Sequence, residues 1–401
     1  MRRVVITGLG PVSNIGIGIS ELRRALRAGR SGISPIRSFD ASGFPHVRAG
    51  EVEDFRPADI LKRIDPEEWG LSTLFAAAAA RLAVDDARLD TSSVDPGRLG
   101  VVMGTTCGES RGVEAITAQI RGGGFAAAEP RMLGQIPAQR LAYGASEEIG
   151  ATGESLTIST ACSASNYAIG YAYDCLSSGR ADAMIAGGAD SVCRWVHAGF
   201  FRLGTLARES CSPFDRDRAG ILTAEGGAAV LLETLEHAEA RGAIPYAEVL
   251  GYALNCDANH MVAPNAATIA ACMRLAHRNA AVMPDDIDYI CAHGTGTPTN
   301  DLVEGQAIRE VFADRIPPLS SIKSMMGHTM GAACGFGAMA GALAIHDGFL
   351  PPTINWSNPD PALPYIDPVP NVSRNANVRY VQNNGFAFGG NNAILVMGAC
   401  K

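Results

Sequence analysis

LTISTACSASNYAIG, residues 156–170, changes period in its middle. A strand-like run, Leu156 to Thr160, gives way to Ala164, Ala168, Tyr171 and Cys175, which share one face at helical spacing. Read as a strand entering a helix, the segment sets Cys162 at the elbow. LSSIKSMMGHTMGAA, residues 319–333, has the same form: a Ser-rich strand, then an Ala/Gly helix, with Lys323 and His328 at the junction. Upstream of each lies a short apolar strand ending in a Gly/Thr turn, LGVVMGTTCG at 99–108 and DYICAHGTGT at 288–297. Downstream of each come two apolar strands, 181–190 with 226–233 and 378–388 with 391–398. Three matches in one order predict an internal duplication. The halves would be 1–244, carrying Cys162, and 245–401, carrying the histidines and the lysine.

Arg3 to Gly8 reads as a further strand, and Ser20–Ala28 and Leu71–Asp86 read as helices. Strands alternating with helices predict an α/β protein with mostly parallel sheets. The uncharged stretch Met330 to Ile345 falls short of the ~20 residues a bilayer span needs, and its Ala and Gly suit a buried helix. The Pro-rich stretch Pro351 to Pro370 reads as a surface loop delivering the last strands.

Composition narrows the function classes. At 47% hydrophobic and 18% charged, the chain is an ordered globular one. A net charge of −8 leaves no electrostatic footprint for nucleic acid, and no segment suits a membrane. The ten cysteines contain no C-x2-C pair, so a zinc ribbon or thioredoxin-type site is not indicated, and a reducing cytoplasm is the simplest setting.

Four segments carry candidate chemistry. Cys162, at a helix start, would feel the positive end of the helix dipole, which favours thiolate; the same position suits a structural cysteine. His293 follows a strand, Asp288 to Ala292, whose end should lie near that of the Cys162 strand, though a lone histidine there also suits a structural role. Lys323 entering an apolar Ala/Gly segment needs a partner or solvent, and Glu304, in the acidic turn Asp301 to Glu304, is a candidate partner. GFAFGGNN, residues 385–392, is a turn between two strands, with no helix to make a phosphate loop. It is either a hairpin with both Phe in the core or a turn whose N–H groups and Phe388 face a site. A thiolate with two neutral imidazole donors suits acyl transfer followed by stabilisation of an enolate.

With these segments in view, the whole chain resembles the elongating β-ketoacyl-acyl carrier protein synthases, including the type II polyketide ketosynthases. TACSASNYAIG resembles the nucleophile segment of that family, AHGTGTPTND its first histidine segment, and IKSMMGHTMGAA its lysine and second histidine segment. PPTINWSNPDP and GFAFGGNN resemble further signatures. The resemblance implies a thiolase fold, with two duplicated halves in a five-layered αβαβα core, as a homodimer or as a heterodimer with a ketosynthase-like chain-length subunit. It implies Cys162 as the acylated nucleophile, and His293 and His328 as hydrogen-bond donors to the malonyl thioester carbonyl. Lys323 would hold the network of the second histidine, with Glu304 as its ion partner. Thr295 and Thr297 would contact the phosphopantetheine arm. Phe388 would be the gate, its N–H forming an oxyanion hole with that of Cys162. No cofactor is implied beyond the phosphopantetheine of an acyl carrier protein, for whose acidic surface Lys62, Arg63 and Arg208 are candidate contacts.

The chain departs from the family pattern at Gly385, Ala387 and Asn391, where Ser, Gly and Thr are usual. Ala387 should restrict the turn more than Gly does. These changes, with Asn166 and Tyr167 after the nucleophile, point to a specialised polyketide or polyene pathway. The competing reading, a chain-length partner subunit without condensing activity, sits poorly with Cys162, both histidines and Lys323. A thiolase would need a second catalytic cysteine near its end, and Cys400 lies too far past the Gly turn. An initiating synthase would show His and Asn in place of two His.

Overall fold

A computed structural model describes residues 2–400. The first half carries β1 (Val4–Ser13), β2 (Leu99–Gly104), β3 (Ser155–Ile158), β4 (Ala183–Asp190) and β5 (Gly226–Thr234). The second carries β6 (Ala247–Cys256), β7 (Tyr289–Cys291), β8 (Leu319–Ser320), β9 (Tyr380–Phe386) and β10 (Asn391–Gly398). Their orders are 3-2-4-5-1 and 8-7-9-10-6, the same path when each half is counted from its own first strand. In both halves the second strand is flanked in parallel by the third and fourth, and the fifth is antiparallel to the fourth and the first. Val4–Ile6 pairs antiparallel with 247–249 and joins the halves into one hydrogen-bonded sheet. The sheet is mixed rather than mostly parallel, because each half closes on a returning strand; β9 and β10 are joined by so short a turn that only antiparallel pairing is open to them.

The side-chain alternation of the strands builds the layers. Met184, Ala186 and Val230 from one half, and Tyr289, Val381 and Leu395 from the other, point into a shared middle layer. That layer is filled by α2 (Ala164–Ser177) and α5 (Ala333–Asp347). The opposite faces, with Ile185 and Leu231, pack on α1 (Leu71–Asp86). Those with Ile290, Ile394 and Val396 pack on α3 (Ala266–Asn279) and α4 (Pro298–Phe312). The result is five layers, α/β/α/β/α. Both α2 and α5 begin at the ends of strands, so the residues at their starts face one another across the middle layer.

The Pro-rich stretch is a surface loop through its middle, where Ser357, Pro359, Pro361, Ala362 and Pro364 are exposed, but it is buried at both ends, at Pro351, Pro352 and Thr353 and at Pro368 and Val369. Thr353 is fully buried and accepts from the Ser321 N–H at 3.0 Å, and Asn355 donates to the Cys211 and Ser324 carbonyls at 3.0 and 3.2 Å. Prolines lack N–H donors, so a Pro-rich strap can run beneath the Lys323 segment with few backbone groups left to satisfy.

The Ala-rich face of α1 lies against glycines of β1. A Cβ on Gly10 would come within 1.9 Å of the Ala79 carbonyl oxygen, whereas one on Gly43 meets nothing within 4 Å. Gly10→Ala should therefore destabilise the protein by about 1–3 kcal/mol, read as a lowered thermal midpoint, while Gly43→Ala leaves the midpoint in place. Equal midpoints for the two variants would contradict this packing.

Candidate active site

β3 ends at Ile158, and Ala161 then adopts a φ of +50° before the short 3-10 turn Ala161–Ser163 leads into α2. A left-handed alanine is a strained elbow. Met330 repeats it at +53°, at the start of the 3-10 turn leading into α5. The Cys162 carbonyl accepts from the Cys334 thiol at 3.1 Å. Gly385 leaves room for that thiol, since a Cβ there would lie 2.5 Å from its sulfur. The departure from Ser at this position thus has a packing cause.

His293 follows β7, and its peptide is held from both sides. Its N–H and that of Gly294 donate to the two oxygens of Glu304 at 2.8 and 2.7 Å, and its carbonyl accepts from Lys323 Nζ at 2.6 Å. Asn384 adds a third donor to Glu304 at 2.9 Å. His328 sits between Leu222 and Ala224, bonding both through its backbone. Its Nδ1 accepts from the Met330 N–H at 3.1 Å, so the ring hydrogen is on Nε2. The two imidazoles lie 5.7 Å apart between centroids and nearly perpendicular.

A cavity of about 350 Å³ is lined by Cys162, His293, His328, Thr295, Thr297 and Phe388 together. Thr295 and Thr297 hydrogen-bond each other at 2.9 Å, and Thr297 caps α4. Phe388 stacks near Phe200, 5.9 Å between centroids, and its N–H donates to no protein acceptor among the described residues. The turn thus meets both roles open to it: Phe386 is buried against His293, and Phe386 and Phe388 both line the cavity.

Burial, reinforced by the Lys323 charge, holds both imidazoles well below the ordinary histidine range, so both are neutral. Burial also pushes the Cys162 thiol up to about 12, against the pull of Lys323. Burial thus opposes the thiolate that a helix start favours.

Family models match the chain twice, as the N-terminal domain of β-ketoacyl synthases over residues 1–238 and as their C-terminal domain over 246–357. The chain belongs to the β-ketoacyl synthase family. As a member, the synthase is a condensing acyltransferase. It is 38% identical to the 3-oxoacyl-[acyl-carrier-protein] synthase 2 of Coxiella burnetii, over 99% of this chain and 98% of the relative. It is 36% identical to nodulation protein E of Rhizobium sp. strain N33, over 98% of each. Among solved structures, the ishigamide ketosynthase/chain length factor matches over both full chains with a TM-score of 0.98 at 46% identity. A type II polyketide ketosynthase in complex with its acyl carrier protein matches, again over both full chains, at 0.92 and 31%.

Three expectations about the synthase need correction. Lys323 does not hold the network of His328: among the described residues its ammonium donates to the His293 carbonyl instead. Glu304 is not the ion partner of Lys323: it lies on α4, not in a turn, and its oxygens are taken by three N–H donors, with the His293 peptide between carboxylate and ammonium. Lys62, Arg63 and Arg208, the candidate carrier-protein contacts, do not line the cavity. Lys62 pairs with Asp85 of α1 at 2.8 Å, Arg63 is exposed beside it, and only Arg208 follows a cavity-lining segment, Leu203–Thr205. Sequence reasoning also missed Asn384, and Asp190, whose buried carboxylate accepts from Thr105, Thr106, Cys107 and Gly331 and so ties the Met330 elbow to the turn after β2. A lone polar residue in a strand is no signal by itself. Polar residues in strands that are otherwise fully apolar could have flagged both.

Glu304→Gln would replace one of these acceptor oxygens by an amide that donates, facing N–H groups with nowhere else to go. We expect a loss of about 1–3 kcal/mol of stability, measured by thermal unfolding. An unchanged midpoint would mean the carboxylate does not hold the His293 turn.

Proposed function

We propose that this synthase lengthens an acyl group held on Cys162 by decarboxylative Claisen condensation with a malonyl thioester on an acyl carrier protein. One observation carries the reading: a nucleophilic sulfur and two neutral imidazoles line a single cavity. In the first step the Cys162 sulfur adds to the acyl thioester, gives up its proton, and the carrier thiol leaves. In the second, the C–C bond to the malonyl carboxylate breaks, CO2 departs, and the electron pair passes into an enolate. Its oxygen would accept from the ring N–H groups of His293 and His328. The enolate carbon then attacks the Cys162 thioester, whose oxygen would sit against the N–H groups of Cys162 and Phe388 while the C–S bond breaks. Lys323 would hold the His293 peptide and raise the cost of a charged imidazole. Thr295 and Thr297 would bind the phosphopantetheine arm, and Glu304 would support the turn.

The 46% identity to the ishigamide ketosynthase/chain length factor structure, above the 38% to a 3-oxoacyl synthase, favours polyketide or polyene elongation over housekeeping fatty acid synthesis. An acyl carrier protein is the partner in this reading, with a second subunit that is either identical or a chain-length subunit. The chain would divide at residue 244, nucleophile in the first half and donors in the second. The cysteine usage favours the cytoplasm, and no helix among the described residues is long and apolar enough to cross a membrane.

Cys162→Ala is expected to abolish acyl loading by intact-mass measurement, and retained loading would reject the nucleophile. Cys162→Gln should still release CO2 from malonyl carrier protein, and adding His328→Ala should lower that rate about 100- to 1000-fold. A base whose pKa is depressed stays neutral as pH falls through its ordinary value. CO2 release by Cys162→Gln should therefore stay flat from about pH 8 to about pH 6, and a loss centred near 6.5 would count against the neutral donors.

A further inference from the structure

Gln382 and Asn384 stand two residues apart on β9 and so face the outer layer of the second half, whose other strand residues are Ile290, Ile394 and Val396. Both are buried, Gln382 completely. Amides on an apolar sheet face contribute nothing to packing that Val or Leu would not, and each must have its hydrogen bonds met. They are met in a single line. The Gln382 amide nitrogen donates to Asn384 Oδ1 at 2.7 Å, and the Asn384 nitrogen donates to Glu304 at 2.9 Å. Gln382 Oε1 must then accept, and its partner is Nε2 of the buried His277 on α3, at 2.6 Å. His277 is thereby fixed as the Nε2–H tautomer, with no partner at Nδ1. Every donor in the line points towards Glu304, and Glu304 receives the N–H groups of His293 and Gly294 on its far side.

We infer that His277 is a positioning residue: acting through Gln382, Asn384 and Glu304, it fixes the peptide of His293 and with it the imidazole that lines the cavity. Three aligned dipoles ending on a buried carboxylate favour its anionic form, and only the anion can accept from both N–H groups of the turn at once. Without the His277 donor, the Gln382 amide is free to turn over. Asn384 can then lose its fixed orientation, and Glu304 one of its three donors. The inference rests on the proposed role of His293 as a donor to the enolate.

His277→Phe keeps a ring against Phe312, now 5.5 Å away between centroids, and removes only the donor. His277→Gln restores a donor without the ring. Two readouts decide: amide hydrogen exchange in the segment 289–297, and the kcat and KM of CO2 release from malonyl carrier protein. We expect His277→Phe to exchange faster in that segment and to lose about tenfold in kcat, the size of one net hydrogen bond. KM and acyl loading of Cys162 should hold, and His277→Gln should stay near the unmodified protein in both readouts. A folded His277→Phe with unchanged exchange and kcat would overturn the inference. So would a His277→Gln as impaired as His277→Phe, since that would make the ring's packing the cause. Should His277→Phe fail to fold, the near-isosteric Gln382→Met decides by the same readouts. If the unmodified protein releases no CO2, the proposed function fails, and the exchange measurement still judges the line of hydrogen bonds on its own.

Discussion

The site depends on a peptide group clamped between opposite charges. Glu304 takes the N–H of His293, and Lys323 takes its carbonyl. Two buried charges in direct contact would satisfy each other and hold nothing else. Separated by a backbone unit, each is met through hydrogen bonds to a dipole, and the turn that carries the imidazole is thereby fixed on both sides. The same arrangement leaves the Lys323 charge acting on both rings and on the sulfur, holding the imidazoles neutral while easing loss of the thiol proton. Positioning and electrostatics come from one contact.

The duplication explains why these groups can meet. Each half runs the same strand path and enters its middle-layer helix through a strained elbow, Ala161 in one and Met330 in the other. Because the helices after those elbows share the middle layer, the elbows face each other, and the Cys334 thiol at the start of α5 donates to the Cys162 carbonyl. The halves then differ in what they put there. The first supplies a sulfur, where the corresponding residue of the second, Gly331, has no room for a side chain: a Cβ would meet Thr105 at 2.6 Å and Asp190 at 2.7 Å. The second supplies the imidazoles and the ammonium.

Much of this was legible in the residues. Leu71–Asp86 is a helix over the bounds its periodicity predicts, and the segments around 158, 186, 230 and 290 are strands. The repeated strand-turn pattern foretold two halves of one design. The hairpin at 385–392 brings both Phe to the cavity, with Phe386 also in the core, an arrangement that residues two apart on a strand allow but composition does not assign. The Pro-rich stretch is a surface loop through its middle, as its composition predicts; its buried ends were not legible, because prolines and polar residues look alike in exposed loops and in buried ones whose few N–H groups are bonded.

The order of elements, the elbow at Cys162 and the candidate reactive side chains were set by the sequence alone, since periodicity and residue chemistry are local properties. Which charge faces which group was decided only by the tertiary structure. Glu304 and Lys323 read as an ion pair along the chain, yet the helix α4 turns the carboxylate under the His293 turn while the ammonium reaches it from the β8 side. The setting of the Cys162 thiol was decided there too: a helix start favours the anion, but burial is a sum over every layer packed around the site, and it pushes the thiol up.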